Sequence, residues 1–255
     1  MSGVTYELDG KVGVVTLSKP PHNRLDDQLV DEIIEAYRIA IEHGSRAILL
    51  RSSMRHFSVG AEIQAFGTTT RMHIDEAKFR GALEGLEDVP VPTVGALNGG
   101  VLGGGLELAL TCDVLVAADT ASIGQVEVTV GLVPLLGGTQ RLVQRAGVAR
   151  AKEIAMLGRR HSAEAFERWG IINLVVPEAE LGSASLNLAR QLAAGPTAVI
   201  KGIKSQANLA ARGGVEAADA RQVEVNEAIW KTKDRQRGFD AFFSTGPATA
   251  VFEGD

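Results

Sequence analysis

The chain has 255 residues and a formal net charge of −5, with 45% hydrophobic and 22% charged residues. That acidic balance argues against a nucleic-acid or anionic-membrane surface, and no apolar run reaches the roughly 20 residues of a membrane span. Cys112 is the single cysteine, which excludes an internal disulfide framework and fits a reducing, cytoplasmic setting; the start MSGVTYELDG lacks the basic leader and apolar stretch of a secretory signal.

In chain order, VTYEL and KVGVVTLS flank Asp9-Gly10 and predict a β-hairpin centred on those two residues. Asp26 or Asp27 caps an amphipathic helix whose apolar positions Leu29, Ile33, Ile34, Tyr37 and Ile41 follow helical spacing, and Gly44 ends it. RAILLRSS reads as a buried strand and FSVGAEI as the loop after it. TTTRMHIDEAKFRGALEGLED is a loop and then a helix, and VPTVGALNG is a strand. It leads into GGVLGGGLELALTCD at residues 99–113, where a glycine cluster opens a short apolar helix. DVLVAAD and ASIGQ are strand-like. GLVPLLGGTQ turns into TQRLVQRAG and ARAKEIAMLG, two helices, followed by the short helix SAEAFERWG and the strand INLVVP. From about residue 178 the pattern is helical only, through LGSASLNLARQLAAG, PTAVIKGIKSQANLAA and VEAADARQVEVNEAIWK. Mixed strands and helices with a helical tail make this an α/β protein.

The glycine cluster does not supply the offsets of a G-x-G-x-x-G fingerprint, and Gly105 is followed by leucine rather than the Lys-Ser/Thr of a P-loop. There is no G-x-S-x-G elbow, and the five histidines lack metal-ligand spacing. What glycine can do at a helix N-terminus is let a ligand atom reach the orphan amides there. Gly104 is such a donor, and Gly60-Ala61 in SVGAEI is a second small turn that could offer another. Two backbone amides aimed at one thioester oxygen would stabilise an enolate. Glu107 lies one helical turn after Gly104, and Glu127 sits in GQVEVTVG; two carboxylates beside such donors could share a water as general acid and base. Structural roles stay open to the same residues. The glycines can serve close packing, Glu107 can be an acid favoured by the helix dipole, and Glu127 can be a solvated strand end.

FSVGAEI, NGGVLGGGLELALTCD, SIGQVEVTVGLVP and GGTQRL occur in this order. Together they resemble the enoyl-CoA hydratase/isomerase (crotonase) superfamily over nearly the whole chain. The resemblance implies a core of ββα spiral turns over residues 1–195, carrying the acyl-CoA site, and a C-terminal helical trimerisation region over 196–255. It implies self-association as a homotrimer or hexamer. It assigns the oxyanion hole to the amides of Ala61 and Gly104, water activation to Glu107, and proton delivery to the α-carbon to Glu127. Retention of both acids favours hydration of a trans-2-enoyl-CoA to the 3-hydroxyacyl-CoA. The alternative is a Δ3-Δ2-enoyl-CoA isomerase using Glu127 as proton shuttle. No separate cofactor is expected, because CoA is part of the substrate. No metal, nucleic-acid or membrane partner is expected either.

Three departures from the family pattern bear on specificity. Leu135-Leu136 stand where hydratases usually have a Gly-Ala pair, which narrows the region near the water and acyl chain. Gln64 replaces a frequent lysine. The C-terminus STGPATAVFEGD lacks the usual basic cluster for CoA phosphates. Substrate contacts are therefore expected from Arg24, Gly60 and Leu135, with Arg24 suited to phosphate and Arg55 and Arg71 as weaker candidates. His73 is discounted as catalytic, Cys112 reads as a core thiol, and KDRQRG at 233–238 reads as a solvated or interface surface.

Overall fold

The chain begins with two strands, β1 (Val4–Asp9) and β2 (Val12–Leu17), paired antiparallel with Asp9 opposite Val12. The loop is thus Gly10-Lys11, one residue later than the sequence suggested. Gly10 at φ +60° takes the first loop position, where glycine carries no Cβ penalty. The structure, a computed structural model, describes residues 2–62 and 76–255. Gln64, Arg71 and His73 lie outside the described residues.

Helix α1 (Asp27–Glu42) starts at Asp26, whose carboxylate accepts from Leu29 N at 3.0 Å. Its buried face is Leu29, Val30, Ile33, Ala36, Tyr37 and Ala40. Ile34, expected in that face, is exposed instead. The face is centred on the small Ala36 and Ala40, which let the helix approach β2: a Cβ on Gly13 would stand 2.7 Å from that of Ala40.

Strands β3 (Ala47–Ser52), β4 (Thr93–Leu97), β6 (Val114–Ala118) and β9 (Leu174–Val176) extend the first pair into one sheet of order β1-β2-β3-β4-β6-β9, parallel from β2 onward. β2 and β4 are buried along their whole length, as strands covered on both faces are. A smaller sheet, β5-β7-β8, is built from β5 (Gly100–Leu102), β7 (Ser122–Gly124) and β8 (His161–Ser162). The chain moves from the large sheet to the small one after β4 and again after β6. After β3 it makes the same move, through a bridge between Ser58 and Val101. These repeated steps, with α2 (Glu76–Glu87) and α3 (Gly104–Ala109) between them, are the turns of a ββα spiral.

The remaining helices are α4 (Gly138–Leu157), α5 (Ala163–Arg168), α6 (Leu181–Ala194), α7 (Thr197–Gly213), α8 (Val215–Trp230) and α9 (Lys233–Ser244). α4 breaks at Gly147 (φ 76°, ψ 166°), which separates the two helices read from sequence. α9 holds the KDRQRG run, read from sequence as surface without an element. Its charge masks a helical signal that Thr232 starts by accepting from Arg235 N. α7 is tied to the core by Lys204, which donates to Asp113 Oδ2 at 2.8 Å and Val91 O at 3.1 Å. Cys112 is buried, and burial pushes its thiol up to about 12, so it stays protonated. Among the described residues no helix is long and apolar enough to cross a membrane.

Candidate active site

The glycine run is where three segments meet at close range. Gly103 sits at φ +53°, and a Cβ there would stand 3.1 Å from Glu127 Oε1. A Cβ on Gly105 would lie 2.3 Å from Ser58 O, too close for any side chain. A Cβ on Gly104 would reach 3.5 Å from Ala61 N, and one on Gly60 would reach 3.4 Å from Gly104 N. The turn at 60–61, where Gly60 is left-handed (φ +98°), and the start of α3 therefore face each other across a narrow space that a side chain at either glycine would enter.

Among the described residues, neither amide at that space has a protein acceptor. Leu25 N donates to Gly60 O and Glu62 N donates to Leu25 O, each at 2.9 Å. This parallel bridge leaves Ala61 N on the side away from Leu25. Gly104 N is the first amide of α3 and has no acceptor within the helix. No hydrogen bond among the described residues uses either group. Both residues line a cavity of about 120 Å³, together with Gly60, Glu107, Glu127 and Leu135. A larger open hollow of about 690 Å³ lies elsewhere, between β1 and α1, and holds none of these groups.

Glu107 enters from the first turn of α3 and is only 2% exposed. Its Oε1 accepts from Leu136 N and from Gly138 N, both at 2.8 Å. Gly137 between them is left-handed (φ 90°, ψ 20°), which turns the two flanking amides onto one oxygen, a small anion nest at the start of α4. A Cβ on Gly138 would stand 2.8 Å from Glu107 Cγ, so glycine is needed there for approach. Burial raises the Glu107 carboxyl to about 7, with the charge of Glu127 adding to the rise and the two amides and Arg141 opposing it.

Glu127 opens a short 3-10 turn, Glu127–Val130, after β7. Its Oε1 accepts from Gln125 Nε2 at 2.8 Å, while Oε2 is buried without a partner. Burial raises its carboxyl too, against the hydrogen bonds from its own backbone and Gln125. Gln125 is fully buried, and its Oε1 is also unpartnered. Two orphan acceptors beside a small cavity leave room for a donor from a ligand or water.

Of the residues expected from sequence, Ala61, Gly104, Glu107, Glu127, Gly60 and Leu135 come together. Arg24 does not line the cavity, though its neighbour Leu25 does. Its guanidinium donates to Glu62 Oε1 at 2.9 Å and is 40% exposed. Sequence reading missed Gln125, Leu136 N and Gly138 N. The signals were Gln125 two residues before Glu127 and the Gly137-Gly138 pair at a helix start.

The sequence matches the family model of enoyl-CoA hydratase/isomerase over residues 7–253. It is 32% identical to a probable enoyl-CoA hydratase of Mycobacterium bovis over 241 residues, covering 94% of each chain. The fold superposes on an enoyl-CoA hydratase subunit I from Geobacillus kaustophilus with TM-score 0.93 at 31% identity, covering 99% of this chain and 98% of that one. An enoyl-CoA hydratase from Bacillus anthracis gives TM-score 0.91 at 28% identity, covering 99% and 100%.

Proposed function

Because this chain belongs to the enoyl-CoA hydratase/isomerase family, whose substrates are acyl-CoA thioesters, we propose that it is a hydratase that adds water across a trans-2-enoyl-CoA. The observation that carries this reading is a pair of acids, the buried Glu107 and the half-buried Glu127, on the same cavity as two amides that have no acceptor among the described residues. The thioester oxygen lies between Ala61 N and Gly104 N. The water oxygen bonds to the β-carbon and gives its proton to Glu107. The double-bond electrons move toward the carbonyl, where the two amides hold the enolate oxygen. The α-carbon then takes a proton from Glu127. Proton transfer from Glu107 back to Glu127, through solvent, restores the starting state.

The reaction needs one charged and one protonated carboxyl. Burial raises both acids, and the charge of Glu127 adds to the rise of Glu107. The pair thus resists double ionisation and holds one proton up to about pH 7. No separate cofactor enters these steps. The cavity of about 120 Å³ is near the ~150 Å³ that accepts a benzene ring, so it suits a short acyl chain, with Leu135 and Leu136 in its wall. Arg24 stands beside this site as the phosphate-binding candidate, provided it leaves Glu62. The C-terminal helices leave Phe243, Val215, Val223 and Phe242 exposed, which supports self-association as a trimer or hexamer through this region.

Crotonyl-CoA is the direct probe. Loss of its conjugated enoyl absorbance on mixing with the protein supports hydration. An unchanged crotonyl-CoA signal, with absorbance gained from a 3-enoyl-CoA, supports the isomerase and overturns the hydratase.

A further inference from the structure

We propose that Arg141 is a positioning residue, which clamps the 135–138 turn so that its amides hold Glu107 in the reacting direction. The inference rests on the reading of Glu107 as a reacting acid. Arg141 lies in α4, and its side chain is 8% exposed. Its Nη1 donates to Leu136 O at 2.9 Å and its Nη2 to Glu87 Oε2 at 3.0 Å. Leu136 is therefore held at both ends: its C=O by Arg141, and its N–H on Glu107. The guanidinium also lies over Gly137, where a Cβ would stand 2.5 Å from Nη1. Any other residue at 137 would push the clamp away as well as strain the left-handed turn.

The other side of the clamp is fixed from two directions. Glu87, at the end of α2, also accepts from Arg212 of α7 at 3.1 Å. The Leu136 side chain packs in a small cluster with Val30 of α1 and Leu83 of α2. Arg141 thus joins the turn to α2 and, through Glu87, to α7. The planar guanidinium presents separate donors to Leu136 O and to Glu87 at the same time; the single ammonium nitrogen of lysine would have to reach both acceptors from one point. The nearby positive charge also favours the ionised form of Glu107, in the same sense as the two amides.

The test compares wild type with Arg141→Met, Arg141→Lys and Arg145→Met. Arg145 is the control: it is equally an interior arginine, donating to Ile171 O and Cys112 O rather than to the turn. Two readouts are taken. One is the pH profile of crotonyl-CoA hydration with kcat and KM separated. The other is hydrogen–deuterium exchange of a peptide spanning residues 132–140. Arg141→Met is expected to lower kcat at least tenfold with KM within threefold. Its alkaline limb, set by loss of the last proton from the acid pair, moves to higher pH, and the peptide exchanges at least tenfold faster. Arg141→Lys moves both readouts part of the way. Arg145→Met lowers thermal stability and leaves the limb and the exchange unchanged. A folded Arg141→Met with wild-type kcat, limb and exchange overturns the proposal. If that variant fails to fold, Arg141→Lys decides, and wild-type values in both readouts overturn it. If wild type itself hydrates no enoyl-CoA, the functional reading fails, while the exchange arm still decides whether Arg141 holds the turn.

Discussion

Two buried carboxylates in this molecule each accept two backbone N–H bonds, yet they titrate in opposite directions. Asp234 accepts from Glu253 N at 2.8 Å and Gly254 N at 2.7 Å, and Arg237 donates to it at 2.7 Å. Burial pushes its carboxyl up, but these three donors together outweigh burial and hold it below the usual range. Glu107 has two amides at similar distances, but its neighbours are an apolar cavity and a second acid, and it rises to about 7. Backbone donors alone therefore do not decide a carboxylate's charge; how deeply it is buried and the sign of its nearest charged neighbour do. The C-terminal clasp closes the tail onto the fold. The acid pair keeps a costly proton in place, which is the mark of a site built for proton transfer rather than for stability.

Five substitutions sharpen that contrast. Glu127→Gln removes the proton donor and is expected to slow hydration of crotonyl-CoA about 10³-fold while thioester binding survives. A residual rate within tenfold of wild type, measured in a single turnover, breaks the pairing. Gly104→Val puts a side chain beside Ala61 N, where the thioester oxygen is expected, and should lower kcat/KM about 10²-fold with weaker binding as well.

Glu107→Gln is expected to cripple turnover but stabilise the fold. A raised acid costs stability as pH climbs from 4.5 toward about 7, and the cost is complete above that. The displacement corresponds to about 3 kcal/mol, so denaturant unfolding should show the variant more stable than wild type at pH 8 and little different at pH 4. Asp234→Asn should do the reverse. Its lowered carboxyl contributes above its ordinary value of 3.8 and stops contributing as pH falls below it, so the variant loses about 1–2 kcal/mol at neutral pH and the gap closes in acid. The smallest effect is on specificity: Leu135→Ala enlarges the cavity wall and should move the kcat/KM preference toward longer 2-enoyl chains by about tenfold, read from a series of acyl-CoAs.

Short local patterns carried most of what could be read beforehand. The glycines of 99–105 and the acids Glu107 and Glu127 announce themselves because helix termini and close approaches demand particular residues nearby in sequence. The hold on Glu107 was not legible. It comes from amides 29 and 31 residues away, which meet the carboxylate only after folding, and any residue could supply an N–H. The same applies to Arg141, whose partners span α2 and the 135–138 turn. Ile34 misled because helical periodicity marks an apolar stripe without saying which edge of it meets the sheet. α9 was missed because its charged residues outnumber its apolar ones, and its tertiary partner is the chain terminus.

A crystal structure with a bound, unreactive acyl-CoA tests the central claim most directly. The account predicts the thioester oxygen within about 2.7–3.1 Å of both Ala61 N and Gly104 N, with the α- and β-carbons between Glu107 and Glu127. A thioester oxygen turned away from either amide, or an acyl chain lodged outside the cavity that these acids line, would contradict it.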